Sequence, residues 1–280
     1  MLRISEIAFP GLGIGKFSVD SVAFSVFGID IAWYAVIITC GMIAAVLYTV
    51  WRAKAIGVMA NDIIDYALVV IPLGIIGARL YYVLTTLGEY DSFLEVINIR
   101  SGGLAIYGGI IAGAIAVILV SYFKKINFFA MADCCTPGVI IAQAIGRWGN
   151  FANGEAFGYE TDWFCRMELN NTLTGFETLA VHPTFLYESL WNIAGFLIAT
   201  LWHKHRRYDG QIMLIVFGWY GLGRFFIEGL RTDSLYSTIF GITFRTSQVL
   251  AIIIFVITAA CLIFFAIKPP KKPLYIKKIK

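Results

Sequence analysis

Seven stretches of about twenty mostly apolar residues run through this chain, and few folds can absorb so many. A helix of about that length spans the hydrocarbon of a bilayer. The stretches are Ile31–Trp51, Ile63–Leu87, Leu104–Phe123, Phe128–Ile145, Pro183–Trp202, Gln211–Glu228 and Thr246–Ile267. None shows strand-like alternation, which argues against a membrane barrel. Only 14% of the residues are charged and 59% are hydrophobic, whereas a soluble domain carries about a quarter charged residues. The sequence therefore predicts an all-α integral membrane protein, a bundle of about seven transmembrane helices. The fourth and sixth stretches are short and carry polar residues.

The segment between the fourth and fifth stretches is rich in Asn, Thr, Gly and acidic residues and is long enough to form a small outer head. The predicted organisation is an outer amphipathic segment over 1–30, helices over 31–150, the head over 151–181, helices over 182–268 and a basic tail over 269–280. Residues 1–30 lack the basic start and long apolar core of a cleavable signal.

Lys and Arg set the predicted orientation. Arg52, Lys54, Lys124, Lys125, Lys204, Arg206, Arg207, Lys268, Lys271, Lys272, Lys277, Lys278 and Lys280 fall on one side of a seven-span arrangement. The opposite loops hold Glu89, Asp91, Glu95, Glu160, Asp162, Glu168 and Glu177. The amino terminus is expected outside and the carboxyl terminus in the cytoplasm. The basic tail reads as a topology signal attracted to anionic membrane lipid, with no nucleic-acid role. Five cysteines and three dispersed histidines give neither a disulfide framework nor metal-ligand spacing.

Three polar constellations interrupt the hydrocarbon. The first is Gly146–Gly158, carrying Arg147, Asn150, Asn153, Glu155 and Gly158. Arg147 and Asn150 are three apart and share a helix face. A guanidinium offers a rigid fork of donors suited to phosphate, and the asparagines would orient hydroxyls. The plainer alternative is a packing ion pair between Arg147 and a glutamate. The second is Tyr220–Arg231, where Arg224, Glu228 and Arg231 are spaced as one helical stripe that cannot face lipid. It serves either chemistry or an internal Arg–Glu bridge. The third is Ser101–Gly109, where Tyr107 lies among glycine pairs. Trp33 and Tyr34 sit at an expected interface, Arg79 is a further arginine inside a span, and His182–Glu188 opens the fifth span.

Gly-Arg-x-Gly-Asn-Phe-x-Asn-x-Glu-x-x-Gly at Gly146–Gly158, His-Pro-x-x-Leu-Tyr-Glu at His182–Glu188 and Arg-Phe-x-x-Glu-x-x-Arg at Arg224–Arg231 together resemble the prolipoprotein diacylglyceryl transferase family of bacterial membranes. The resemblance covers about residues 30–265. It implies transfer of a diacylglyceryl group from phosphatidylglycerol to the thiol of a lipobox cysteine in a prolipoprotein signal peptide. The product is a thioether, and glycerol phosphate leaves. No cofactor or metal is implied. The resemblance implies essential roles for Arg147 and Arg224 and for the positions of Tyr34, Asn150, Glu155 and Gly158. Asn153, Tyr220, Glu228, Arg231 and His182 are expected around the substrate. Many members carry histidine where this chain has Tyr107, so the acceptor of the thiol proton is open between Tyr107, a carboxylate and water. A transporter would show inverted repeats or paired broken helices, and a channel would show rings of like groups; the sequence shows neither.

Overall fold

The computed structural model describes residues 4–90, 92–99, 102–239 and 242–277. Asp91, Ser101, Lys278 and Lys280, named above, lie outside the described residues. In chain order the elements are β1 (Ile4–Phe9), β2 (Ile14–Asp20), β3 (Val22–Val26), β4 (Ile29–Ala32), α1 (Trp33–Ala53), α2 (Ala60–Thr85), α3 (Phe93–Ile97), α4 (Ile106–Phe123), α5 (Phe128–Asn153), β5 (Met167–Asn170), β6 (Leu179–Val181), α6 (Thr184–Trp202), α7 (Gln211–Glu228), β7 (Tyr236–Ile239), β8 (Ile242–Arg245) and α8 (Thr246–Ile267).

This is an integral membrane protein. Among the described residues, six helices are long and apolar enough to cross a bilayer: α1, α2, α4, α5, α6 and α8. Their outward faces carry side chains that water would not tolerate in such number, among them Leu47, Leu68, Ile110, Leu201 and Ile253. The sixth stretch is also a helix, α7, but Arg224 and Glu228 lower its hydropathy and it stands outside those six.

The chain divides into two compact units, with boundaries inside α1 and α5. The first comprises residues up to Tyr48 and Cys135–Pro273. Its polar end is an antiparallel sheet of order β2-β1-β5-β6. The segments 1–30 and 151–181, which the sequence suggested as separate pieces, thus meet in one sheet, Ile7 standing opposite Leu169. Alternation explains the pairing: Met167 and Leu169 of β5 point inward beside Ile7, Phe9, Val181 and Phe185, while Glu168 and Asn170 point away. The β3–β4 hairpin turns at Phe27 and Gly28, both at positive φ (50° and 78°), and β4 passes directly into α1.

The second unit comprises Thr49–Cys134 and the tail from Leu274. Here α2 and α4 pack closely, because a Cβ at Gly77 would collide with the Gly108 carbonyl and one at Gly108 with the Gly77 carbonyl. Arg79 is buried and donates to four backbone carbonyls: Val96 (2.7 Å), Glu95 (2.6 Å), Gly102 (2.9 Å) and Gly103 (3.0 Å). Tyr82 and Tyr90 flank its guanidinium. Gly102 and Gly103, at φ 90° and 76°, bend the chain around it. Two lysines assigned to the basic side have internal partners. Asp62 accepts Lys124 at 3.0 Å and Lys277 at 2.6 Å.

Candidate active site

The site in the first unit grows from the last two turns of α5. This helix runs to Asn153, beyond the expected end of its span, so Arg147, Asn150 and Asn153 are all helical. Arg147 Nη1 donates to Asn150 Oδ1 at 3.3 Å. Gly154, at φ 61°, reverses the chain so that Glu155 folds back over the helix end. The Glu155 carboxylate then accepts both Asn150 Nδ2 and Asn153 Nδ2 at 3.1 Å. Tyr34, at the start of α1, lies in the electrostatic field of Glu155 and Arg147. Its ring fits because Gly149 has no side chain; a Cβ there would approach the ring to 2.8 Å.

A single buried carboxylate on α6 gathers the arginines. Glu188 is 4% exposed. Arg147 Nη2 lies 2.5 Å from its Oε2, Arg224 Nη1 2.7 Å from Oε1, and Arg231 Nη1 3.4 Å from Oε1. Arg224 also meets Glu228 at 2.6 Å, the i, i+4 pair expected on α7. Arg231 is not on that helix, which corrects the expected stripe. Helix α7 ends at Glu228 with Gly229 as its cap, and Arg231 reaches Glu188 from the following turn. Asp233 grips it with two hydrogen bonds of 2.9 and 2.7 Å. Burial alone would raise the Asp233 carboxyl, but those bonds outweigh it and hold its pKa below the ordinary carboxylate value.

Gly158, expected near substrate, is a crossing point of the chain. Its N–H donates to the His182 carbonyl at 2.9 Å, and it bridges to Arg231. A Cβ would press on His182, Leu230 and Thr184. The His182 ring contacts the Tyr187 hydroxyl at 3.2 Å, which meets the Cys165 thiol at 3.2 Å. Burial pushes the His182 imidazole below its ordinary pKa. Tyr220 lines a small void with Glu188 and Arg224. Tyr107 belongs to the second unit, where its ring tilts against Tyr81 at 6.4 Å.

A clasp fixes the register of α6 against α7. Trp191 Nε1 donates to the Trp219 carbonyl at 2.9 Å, and Trp219 Nε1 to the Trp191 carbonyl at 2.8 Å. The indoles stack at 4.4 Å. Each covers a glycine of the other helix, Gly223 and Gly195, where any Cβ would collide with the ring. Trp191 is one turn from Glu188, and Gly223 adjoins Arg224.

The sequence reading quoted Glu188 as the last position of the His182–Glu188 motif but gave it no role, and it did not single out Asp233 or the two tryptophans. For Glu188 a signal existed, since it is the one charged residue within Thr184–Trp202.

The sequence model of the family described as prolipoprotein diacylglyceryl transferase matches residues 21–264. The chain belongs to this family. Proteins named phosphatidylglycerol–prolipoprotein diacylglyceryl transferase are similar to it along most of their length. The one from Clostridioides difficile is 45% identical over 219 residues, 77% of this chain and 85% of that protein. That of Finegoldia magna is 44% identical over 239 residues, 85% of this chain and 92% of its own. That of Listeria innocua is 39% identical over 267 residues, 92% and 95%. Three guanidinium groups, drawn from different chain segments, thus converge on the one buried carboxylate of Glu188.

Proposed function

We propose that the chain transfers the diacylglyceryl group of phosphatidylglycerol to a lipobox cysteine through the Glu188-centred arginine cluster. The observation that carries this reading is the convergence of Arg147, Arg224 and Arg231 on buried Glu188. The substrate thiolate attacks the glycerol carbon, an S–C bond forms, and the C–O bond to phosphorus breaks. The electron pair leaves with glycerol phosphate, whose growing negative charge faces the guanidinium groups. Arg147 and Arg224 are the catalytic cations. Arg231 completes the clamp around the phosphate and Glu228 orients Arg224 toward it, while Asn150, Asn153, Glu155 and Tyr34 orient the glycerol hydroxyls. Gly158, His182 and Tyr220 form the surround. Tyr107 is the proposed acceptor of the thiol proton, a thiol needing only a modest pKa shift to ionise.

The proposed setting is a bacterial plasma membrane spanned by seven helices including α7. The sheet of β1, β2, β5 and β6 lies outside, and Lys204–Arg207 faces the cytoplasm. A membrane-impermeant thiol reagent should label a cysteine placed at Thr174, and not one placed at exposed Lys204, in intact cells of a variant otherwise lacking cysteine. The reaction itself is tested with purified protein, phosphatidylglycerol and a lipobox peptide. Mass spectrometry should find the thioether adduct and free glycerol phosphate, and a Cys→Ser peptide should give neither. No adduct on the cysteine peptide would overturn the reading. Tyr107→Phe should slow transfer about a hundredfold, the usual scale for a general base; an unchanged rate at every pH would send the proton elsewhere.

A further inference from the structure

A groove lies at the other end of α6. Trp202 is fourteen residues beyond Glu188, which is about 21 Å along a helix at 1.5 Å per residue. There the last turn of α6, the 203–210 connection, the first turn of α7 and the last turn of α8 enclose a groove of about 610 Å³. Its wall is apolar and aromatic. Tyr208 is buried and its ring packs on Phe265 at 5.0 Å, with Leu262 beside them and Trp202 at the rim. Its mouth is basic, carrying His205 and Arg207.

The local chain holds that mouth in place. Gly210, at φ 95°, turns the backbone into α7. The Arg207 N–H then donates to the Gln211 side chain at 2.7 Å. The Arg207 side chain is exposed and, among the described residues, has no ion-pair partner. The nearest acidic residue in sequence, Asp209, is half-buried.

We propose that this groove holds an anionic glycerophospholipid, its headgroup phosphate on Arg207 and an acyl chain along the wall of Leu262 and Phe265. Charge complementarity selects an anion. The apolar wall selects a lipid over a free phosphate, and it continues into exposed Leu201, Ile263 and Ile267, surfaces that already face hydrocarbon. Trp202 and Tyr208 are the side chains that settle at headgroup level. The lipid braces α6, α7 and α8 at the end away from the chemistry. In the orientation proposed above this end faces the cytoplasmic leaflet, whose anionic lipids attract basic residues at about 1 kcal/mol each.

The test uses the full chain in nanodiscs of phosphatidylcholine with a photoactivatable phosphatidylserine, followed by peptide mapping. Transfer activity is not read, so failure here and failure of the proposed reaction are separable. Phosphatidylserine should label 201–211 and 262–266 about fivefold more than a photoactivatable phosphatidylcholine, the ratio that one basic contact supports. Arg207→Ala should bring the two lipids to parity, and Ala266→Trp, which obstructs the wall beside Phe265, should lower labelling by both. Inorganic phosphate should not compete. Equal labelling by the two lipids in the unsubstituted chain overturns the proposal, as does a preference that survives Arg207→Ala. Competition by inorganic phosphate would make the site an anion site without a lipid.

Discussion

Arg79 on one side and Arg147, Arg224 and Arg231 on the other are all buried or half-buried, and the two sets are held in opposite ways. Arg79 in the second unit donates to four backbone carbonyls and touches no carboxylate among the described residues. Arg147, Arg224 and Arg231 in the first unit are held by side-chain carboxylates: Glu188, shared by all three, with Glu228 and Asp233. Carbonyls of a bent loop fix a guanidinium and are fixed by it, which is architecture. Carboxylates, two of the three on helices, aim the guanidinium groups while leaving the local charge close to balanced. In the reaction proposed above, this is the cluster that would meet the phosphate. The difference teaches that burial and charge alone do not tell the two sets apart; the nature of their acceptors does.

Glu188 offers the most severe way to break this contrast. Glu188→Ala leaves three cations around an empty position, and removing one partner of a buried pair costs on the order of 3–5 kcal/mol. Both the melting temperature and the transfer rate should collapse. Glu188→Gln keeps the shape and two hydrogen-bonding atoms, so it should recover folding far better than turnover. An unchanged melting temperature in the alanine variant would remove Glu188 from the centre of the cluster.

The contrast is next sharpened by making one substitution in both sets. Arg147→Lys should lower the rate about a hundredfold, since an ammonium cannot reproduce the fork, with little change in melting temperature. Arg79→Lys should do the reverse. It strands carbonyls that accepted four hydrogen bonds and should cost about 2–3 kcal/mol, seen as a lower melting temperature with near-normal turnover per folded molecule. If the two variants show the same pattern, the distinction drawn from their acceptors fails.

Much of this was legible before any coordinates. Apolar run length gave the membrane helices, because hydrocarbon thickness imposes it directly. The clustering of Arg147, Asn150, Asn153 and Glu155 was visible because a helix end and one glycine turn bring near neighbours together. The i, i+4 spacing announced Arg224–Glu228. What stayed hidden was long-range. No local pattern says that Glu188 on α6 answers Arg147 on α5 and Arg224 on α7, or that Ile7 pairs with Leu169. Extending the helical register of α7 through Arg231 missed the cap at Gly229, since local spacing does not show where a helix stops.

The tryptophan clasp tests whether the cluster depends on helix register. Gly223→Ala puts a methyl into the Trp191 indole and should cost about 1–3 kcal/mol as overpacking. Because Gly223 adjoins Arg224, the rate should fall along with stability. Adding Trp191→Leu makes room, so the double variant should regain part of the lost stability. The coupling between the two is the measure of the clasp. Strictly additive losses would mean that the indole and the glycine do not act as a unit.

The smallest expected effect lies at the edge of the cluster, in His182. Its backbone carbonyl accepts Gly158, which bridges to Arg231, so the histidine touches the site through main chain while its ring faces Tyr187. Burial disfavours the imidazolium, so the native ring holds its proton less tightly than the unfolded chain does near 6.5. As the pH falls, the unfolded chain takes up that proton first, and native stability declines from about pH 6.5 down to the lower native pKa, below which this contribution is constant. His182→Gln retains hydrogen-bonding atoms beside Tyr187 but does not titrate. Melting temperatures between pH 5 and 8 should therefore fall less steeply on the acid side in the glutamine variant. The same variant separates two roles. If His182 only supports the crossing at Gly158, the pH profile of kcat/KM should keep its shape. If the ring takes the thiol proton in place of Tyr107, the acid limb of kcat/KM should vanish together with most of the rate. A rate unchanged in both height and shape would place His182 with Arg79 among the groups that hold the architecture.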